Sequence, residues 1–283
     1  MHLILALLVA MTSGCAWLDT KHRQLLYRPT PGVPSDFAGL RPGDLKYFVD
    51  LPTAAPDTAQ RIEMWWLPQQ DRDAPTLLYF HGTFRNLYEN ARKIEALRQA
   101  GFAVLALDYR GWGMSTPITP SEQTILQDAE LAWTELQRRQ PIAARRVIYG
   151  HSMGSGAAVD LASRLKVGTD YAALILESAF TSFPDVAHEA GLLASLIATL
   201  SSERFASADK IATVDAPLLM IHGSADTTIP VGLGKKLFDA AKLPKQWVNI
   251  EGGSHSDLDL VAHDQYQATL RGFMQRYLWP GSP

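Results

Sequence analysis

Cysteine is almost missing from this chain. One residue, Cys15, stands among 283, which excludes an intramolecular disulfide framework. Nowhere do Cys and His gather at metal-ligand spacing, so neither a metal nor a cofactor is expected. His81 and His222 each precede a glycine at the end of an apolar run and read as loop or core histidines. Basic residues form no stripe and the net charge is −3, which argues against a nucleic-acid partner. There is no internal repeat and no low-complexity tract. Leu3 to Ala10, an apolar run near the start, is too short to span a bilayer as a helix. What is present is an ordinary globular composition, 47% hydrophobic and 19% charged, able to bury a sizeable core.

The stretch that organises the rest is Arg145 to Gly156, RRVIYGHSMGSG. Val147-Ile148-Tyr149 reads as a buried strand, and Met153 to Leu165 as a helix. Between them Gly150-His151-Ser152-Met153-Gly154 spells G-x-S-x-G, the setting of a nucleophilic serine on a tight strand-to-helix turn. Gly150 and Gly154 leave Ser152 uncrowded on such a strained turn.

Around this stretch the pattern alternates. Leu45 to Val49 and Arg61 to Leu67 read as an antiparallel hairpin at a sheet edge, with Trp65 and Trp66 facing opposite sides. Strands are expected at 76–80, 103–107, 171–176, 218–221 and 247–250. Helices are expected at 87–99, 122–139, 233–241 and 261–278, with Ser121 as an N-cap. This implies an α/β fold with a mainly parallel, doubly wound sheet flanked by helices. In such sheets, sites lie at the carboxyl ends of the strands. His81, Asp108, Ser152, Glu177 and Asp226 all follow a strand and so belong on one rim.

A serine hydroxyl needs a base, and the base an orienting carboxylate. In this architecture they follow in the order Ser, acid, His. Asp226 lies in the turn after the strand at 218–221. His255 lies in the glycine-rich loop after the strand at 247–250, whereas His263 falls inside the terminal helix pattern. The candidate catalytic set is therefore Ser152, Asp226 and His255. Glu177 is the alternative acid, and is expected to be structural, as is Asp108. An oxyanion needs two backbone donors; these are assigned to the N–H groups of Met153 and Thr83.

Together these pieces resemble the α/β-hydrolase superfamily of serine hydrolases. The residues that carry the resemblance are His81-Gly82, Asp108-Tyr109-Arg110-Gly111-Trp112-Gly113, the turn at Ser152, Glu177 to Thr181, Ile221-His222-Gly223 through Asp226 and Pro230, and Gly253 to His255. They span roughly residues 60–280. The chain is most similar to the small-lid branch that includes membrane-associated serine hydrolases and depalmitoylating thioesterases. That branch often has small residues and Asn after the His-Gly, where this chain has Phe84 and Arg85, which would narrow or cover the site. A short cap is expected at about 181–212, with Gly191 to Leu200 either as a helix over the site or as a surface helix. Phe84, Tyr88, Trp112, Phe180 and Phe183 are the candidates for an apolar acyl pocket.

At the start, Leu3 to Ala10 is apolar and uncharged, the size of a signal-peptide h-region. Met11-Thr12-Ser13-Gly14-Cys15 resembles the lipobox of bacterial lipoproteins. The resemblance implies removal of residues 1–14 and lipid on Cys15. It also implies an envelope location, with Ala16 after the cysteine pointing to the outer membrane, facing the periplasm. Residues 16–43, rich in Pro and Gly, read as an extended lead-in to a domain at 44–283.

The function expected is a serine hydrolase acting on ester or thioester bonds of small-molecule or lipid-like acyl substrates. The alternatives are an envelope peptidase or amidase, and a non-catalytic binding protein on the same scaffold.

Overall fold

The apolar runs form strands that are buried along nearly their whole length, because helices cover both faces of the sheet. The computed structural model describes residues 18–52 and 59–279. A helix α1 over residues 18–27 comes first. The strands are β1 Leu45–Asp50, β2 Arg61–Leu67, β3 Thr76–Phe80, β4 Ala103–Asp108, β5 Arg146–His151, β6 Ala173–Glu177, β7 Leu218–Gly223 and β8 Lys245–Ile250. They form one sheet in the order β1-β2-β4-β3-β5-β6-β7-β8. β1 pairs antiparallel with β2 and β2 with β4, and every later pairing is parallel. The hairpin expected at the edge is there; its turn lies outside the described residues.

Alternate side chains feed two cores. Leu78, Phe80 and Ile148 face one side, with α3 Glu122–Arg139, α4 Met153–Ser163 and α8 Val231–Ala240 packed on them. Leu77, Tyr79, Val147 and Tyr149 face the other, under α2 Leu87–Gln99 and α10 His263–Tyr277. Trp65 is buried in the second core while Trp66 packs against the first, as adjacent residues on a strand must. Capping boxes fix two helix starts: Asn86 with Glu89 for α2, and Ser121 with Thr124 for α3.

Three expectations change. The lead-in at 16–43 is not wholly extended, since α1 occupies 18–27. Leu26 and Tyr27 pin it to the core, and the Tyr27 hydroxyl donates to the buried Glu203. The terminal helix is broken at Ala262 (φ −136°, ψ 58°), which splits α9 Leu258–Val261 from α10. Leu258 and Asp259 of α9 are buried. Between β6 and β7 stand three helices, α5 Phe183–Glu189, α6 Leu192–Leu200 and α7 Ser207–Ile211. α6 leaves Leu192, Leu193, Leu196 and Ile197 exposed and contributes no residue to the cleft above Ser152.

Two glycine substitutions should act in opposite directions. A Cβ at Gly154 would lie 2.1 Å from the Phe80 carbonyl oxygen, whereas at Gly272, inside α10, it would meet nothing within 4 Å. Gly154→Ala should cost ~3 kcal/mol or more by forcing backbone apart. Gly272→Ala should add ~0.5–1 kcal/mol through helix propensity. Urea unfolding of both variants checks the pair; equal effects would contradict the packing described.

Candidate functional site

Ser152 ends β5 and caps α4 with φ 53° and ψ −126°, a left-handed region that a residue with a Cβ enters only under constraint. The constraint is visible at its neighbours. A Cβ on Gly150 would lie 2.3 Å from the Gly154 carbonyl, and one on Gly82 would lie 3.0 Å from the Ser152 Cβ. Glycine at all three positions lets the turn fold on itself and lets the loop after β3 close over it.

Ser152 Oγ is 2.8 Å from His255 Nε2, and His255 Nδ1 is 2.8 Å from Asp226 Oδ2. A carboxylate only accepts, so Nδ1 carries the proton and Nε2 is left as the acceptor for the serine O–H. Asp226 is itself held by the N–H groups of Thr228 and Ile229, both donating to Oδ1 at 2.9 and 2.8 Å. Burial works to raise its carboxyl, but the hydrogen bond and charge of His255 and the Ile229 N–H outweigh burial, and it titrates below its ordinary value. Such a chain can draw the proton from Oγ as a bond forms to it.

The other members of the expected set fall on both sides of the line. Thr83 lines a cleft of about 270 Å3 above Ser152, together with Gly82, Phe84, Arg85, His255 and Ser256. Met153 opens α4, where first-turn N–H groups have no intrahelical acceptor. Of the five pocket aromatics, Phe84 alone lines this cleft. Tyr88 turns away to donate to Glu63 at 2.6 Å, in the core on the far face of the sheet. Phe180 is fully buried and stacks on Phe183, which packs in turn on Tyr27 and Phe205. Trp112 is fully buried, and its indole N–H donates to the Thr83 carbonyl at 2.7 Å. It holds the loop instead of lining the cleft. Glu177 makes no contact with His255. It pairs with Lys93 and accepts from the hydroxyls of Tyr149 (2.6 Å) and Tyr266 (2.8 Å). Asp108 accepts from Leu87 N–H at 2.9 Å and lies 3.4 Å from His81 Nε2. His222 is a core histidine, bonded to the Ile229 carbonyl and stacked on Trp247. Among the described residues no cluster of His, Cys, Asp or Glu could hold a metal ion. Cys15 lies outside the described residues.

Sequence reasoning missed a clamp beneath the site. The backbone carbonyl of His255 accepts from His151 Nε2 at 2.9 Å and from Ser178 Oγ at 3.1 Å. Burial, reinforced by the nearby charge of Lys93, pushes His151 down to about 3, so it is a neutral donor. Lys93 is almost fully buried between Glu177 and Asp259, on a helix face that also buries Asn90 and Arg98. With three polar residues on that face, no apolar stripe set the lysine apart in the sequence.

The family described as Serine aminopeptidase, S33 matches residues 72–208. The alpha/beta hydrolase domain-containing protein 17B of Homo sapiens is 32% identical over 210 residues, 72% of this chain and 67% of that protein. The chain belongs to the α/β-hydrolase superfamily. It is thus a hydrolase with the fold expected of that family. An uncharacterized protein of Mycobacterium tuberculosis is 32% identical over 276 residues, 96% of this chain and 94% of that one. A Pyrococcus furiosus esterase shares the fold, with TM-score 0.65 and 18% identity over 87% of this chain and 100% of that one.

Two buried groups of this hydrolase work against the fold in acid. His151 takes up a proton in the unfolded chain from its ordinary value of 6.5 downward but resists it in the folded one. Burial would raise Glu177, yet Lys93 and its hydroxyl donors hold it at about 2, against 4.5 ordinarily. Both contributions are complete above pH 6.5 and are lost as pH falls, first from His151 and then from Glu177. Asp128, which burial raises to about 6, works the other way over the same range, so His151 is read by difference. Between pH 6.5 and 4 the urea midpoint should fall more steeply in the parent than in His151→Gln, and parallel profiles would contradict this. At neutral pH, Lys93→Met strands the Glu177 charge and should cost ~3–5 kcal/mol by the same measurement.

Proposed function

We propose that this hydrolase cleaves ester or thioester bonds of acyl substrates through an acyl-enzyme on Ser152. The observation that carries the reading is the unbroken chain from Asp226 through His255 to Ser152, with both hydrogen bonds at 2.8 Å. Ser152 Oγ attacks the carbonyl carbon while its proton passes to His255 Nε2. The carbonyl becomes a tetrahedral oxyanion, held by the N–H groups of Met153 and Thr83. Collapse expels the alkoxide or thiolate, which leaves with the proton from His255. Water then gives a proton to His255 and its hydroxide attacks the acyl carbon, releasing the acid and restoring Ser152. The Asp226 carboxylate holds the imidazole in the tautomer that this sequence requires and stabilises the imidazolium.

The cleft supports a slender substrate more than a bulky one, because Phe84 and Arg85 border it. The match to a family described as serine aminopeptidase favours amide cleavage as the second reading. We further propose that residues 1–14 are removed and Cys15 carries lipid, which would tether the enzyme to the envelope membrane, facing the periplasm.

Ser152→Ala should lower hydrolysis of p-nitrophenyl butyrate by ~10^4-fold or more, and Asp226→Asn by ~10^2–10^4-fold. A Ser152→Ala protein working at the parent rate would refute the mechanism. Parent rates on peptide amides exceeding those on esters would move the assignment to the second reading.

A further inference from the structure

We propose that the outward face of α1 and the adjoining rim of the cleft form a docking surface for an anionic lipid bilayer. Along α1 the outward positions are Leu18, Lys21 and Leu25, followed directly after the helix by Arg28. Lys21 and Leu25, three and seven residues on from Leu18, keep to one side of the helix, and Arg28 is placed by its contact with Phe84. All four are exposed, Leu18 at 61% and Leu25 at 71%. The opposite side of α1 is fixed: Tyr27 is buried, and Arg23 pairs with the buried Glu203 at 3.1 Å. The outward leucines therefore sit on a rigid element. The one acidic residue at that end of α1, Asp19, is already paired with Arg23 at 3.0 Å.

The face runs into the site. The Arg28 guanidinium lies over the Phe84 ring, 5.1 Å from its centroid, and Phe84 and Arg85 both border the cleft above Ser152. Among the described residues no carboxylate lines that cleft. The rim and the helix thus present two leucines, an exposed aromatic ring and three cations, Lys21, Arg28 and Arg85. This mixture suits an interfacial element on anionic lipid, where apolar side chains enter the headgroup boundary and the cations meet phosphates.

The chain before α1 decides between occupants. Leu3 to Ala10 is uncharged and apolar, and Cys15 stands three residues before Leu18, so ~10 Å of extended chain separates them at most. A bilayer that held a lipid on Cys15 would lie beside α1, whereas Leu3 to Ala10, ending eight residues before Leu18, allows ~27 Å of chain between them. A second copy is the poorer occupant, since two such faces would oppose their cations. α6 carries a further exposed apolar stripe on the same flank, where Ser201 at its C-terminal end approaches His22 of α1 at 3.5 Å.

The test uses the full chain with Cys15→Ser, labelled with an environment-sensitive nitrobenzoxadiazole at Leu25→Cys. A second protein carries the label at Leu243→Cys. Leu243 is 78% exposed just before β8, at the opposite rim of the sheet. With vesicles of equal parts phosphatidylglycerol and phosphatidylcholine, emission at position 25 should shift to the blue and rise several-fold, and at 243 stay unchanged. Phosphatidylcholine alone should give a smaller response at 25. Lys21→Glu with Arg28→Glu should weaken the vesicle titration at 25 by about tenfold or more. The proposal is overturned if position 25 stays water-like on protein that floats with vesicles, or if both positions respond equally. A shift at 25 without vesicles that grows with protein concentration would assign the face to a second copy instead. None of these readouts depends on catalysis, so they stand or fall apart from the esterase reading.

Discussion

The geometry of the site depends on one backbone residue held where it would not rest alone. Ser152 has a positive φ at the junction of β5 and α4. It stays there because Gly150 and Gly154 allow backbone approaches that a Cβ would prevent, and Gly82 leaves room beside the Ser152 side chain. The strain is local, and the two cores that flank β5 supply the stability against which it is held. The result is a hydroxyl at the end of a central strand, facing a cleft, at the start of a helix.

His255 must meet that hydroxyl from a loop, and loops are poor positioners unless their backbone is tied. Here the tie is the doubly accepted His255 carbonyl, bonded to His151 and Ser178. Both donors come from the ends of β5 and β6, next to the serine. The imidazole and the hydroxyl are thus referred to the same two strands. Beneath them the Lys93, Glu177 and Asp259 cluster joins α2, β6 and α9 in an almost wholly buried charge network. Buried ion pairs contribute little net stability by themselves but penalise any arrangement that separates them. This one fixes which helix lies against which strand.

Much of this was legible in the sequence. Strand ends could be read to within two residues, because runs such as Val147 to Tyr149 give way to glycine just before β5 ends at His151, and residues after parallel strands share a rim. The separation of Ser152, Asp226 and His255 along the chain was therefore no obstacle to grouping them. The aromatic candidates were less legible because nearness to a motif does not say which sheet face a side chain takes. Tyr88 and Phe180 lie in cores on opposite faces, and Trp112 points back at the Thr83 carbonyl. α1 was hidden by averaging: the prolines and glycines of 29–43 masked ten helical residues before them. The break at Ala262 had no Pro or Gly to mark it.

The central claim is that Ser152 alone is made reactive, by a base that Asp226 orients. Treatment with a fluorophosphonate followed by intact-mass measurement and peptide mapping tests it most directly. The account predicts a single covalent adduct, located on Ser152, forming far more slowly in Asp226→Asn. A folded protein that takes no adduct, or takes it on a different residue, would contradict it.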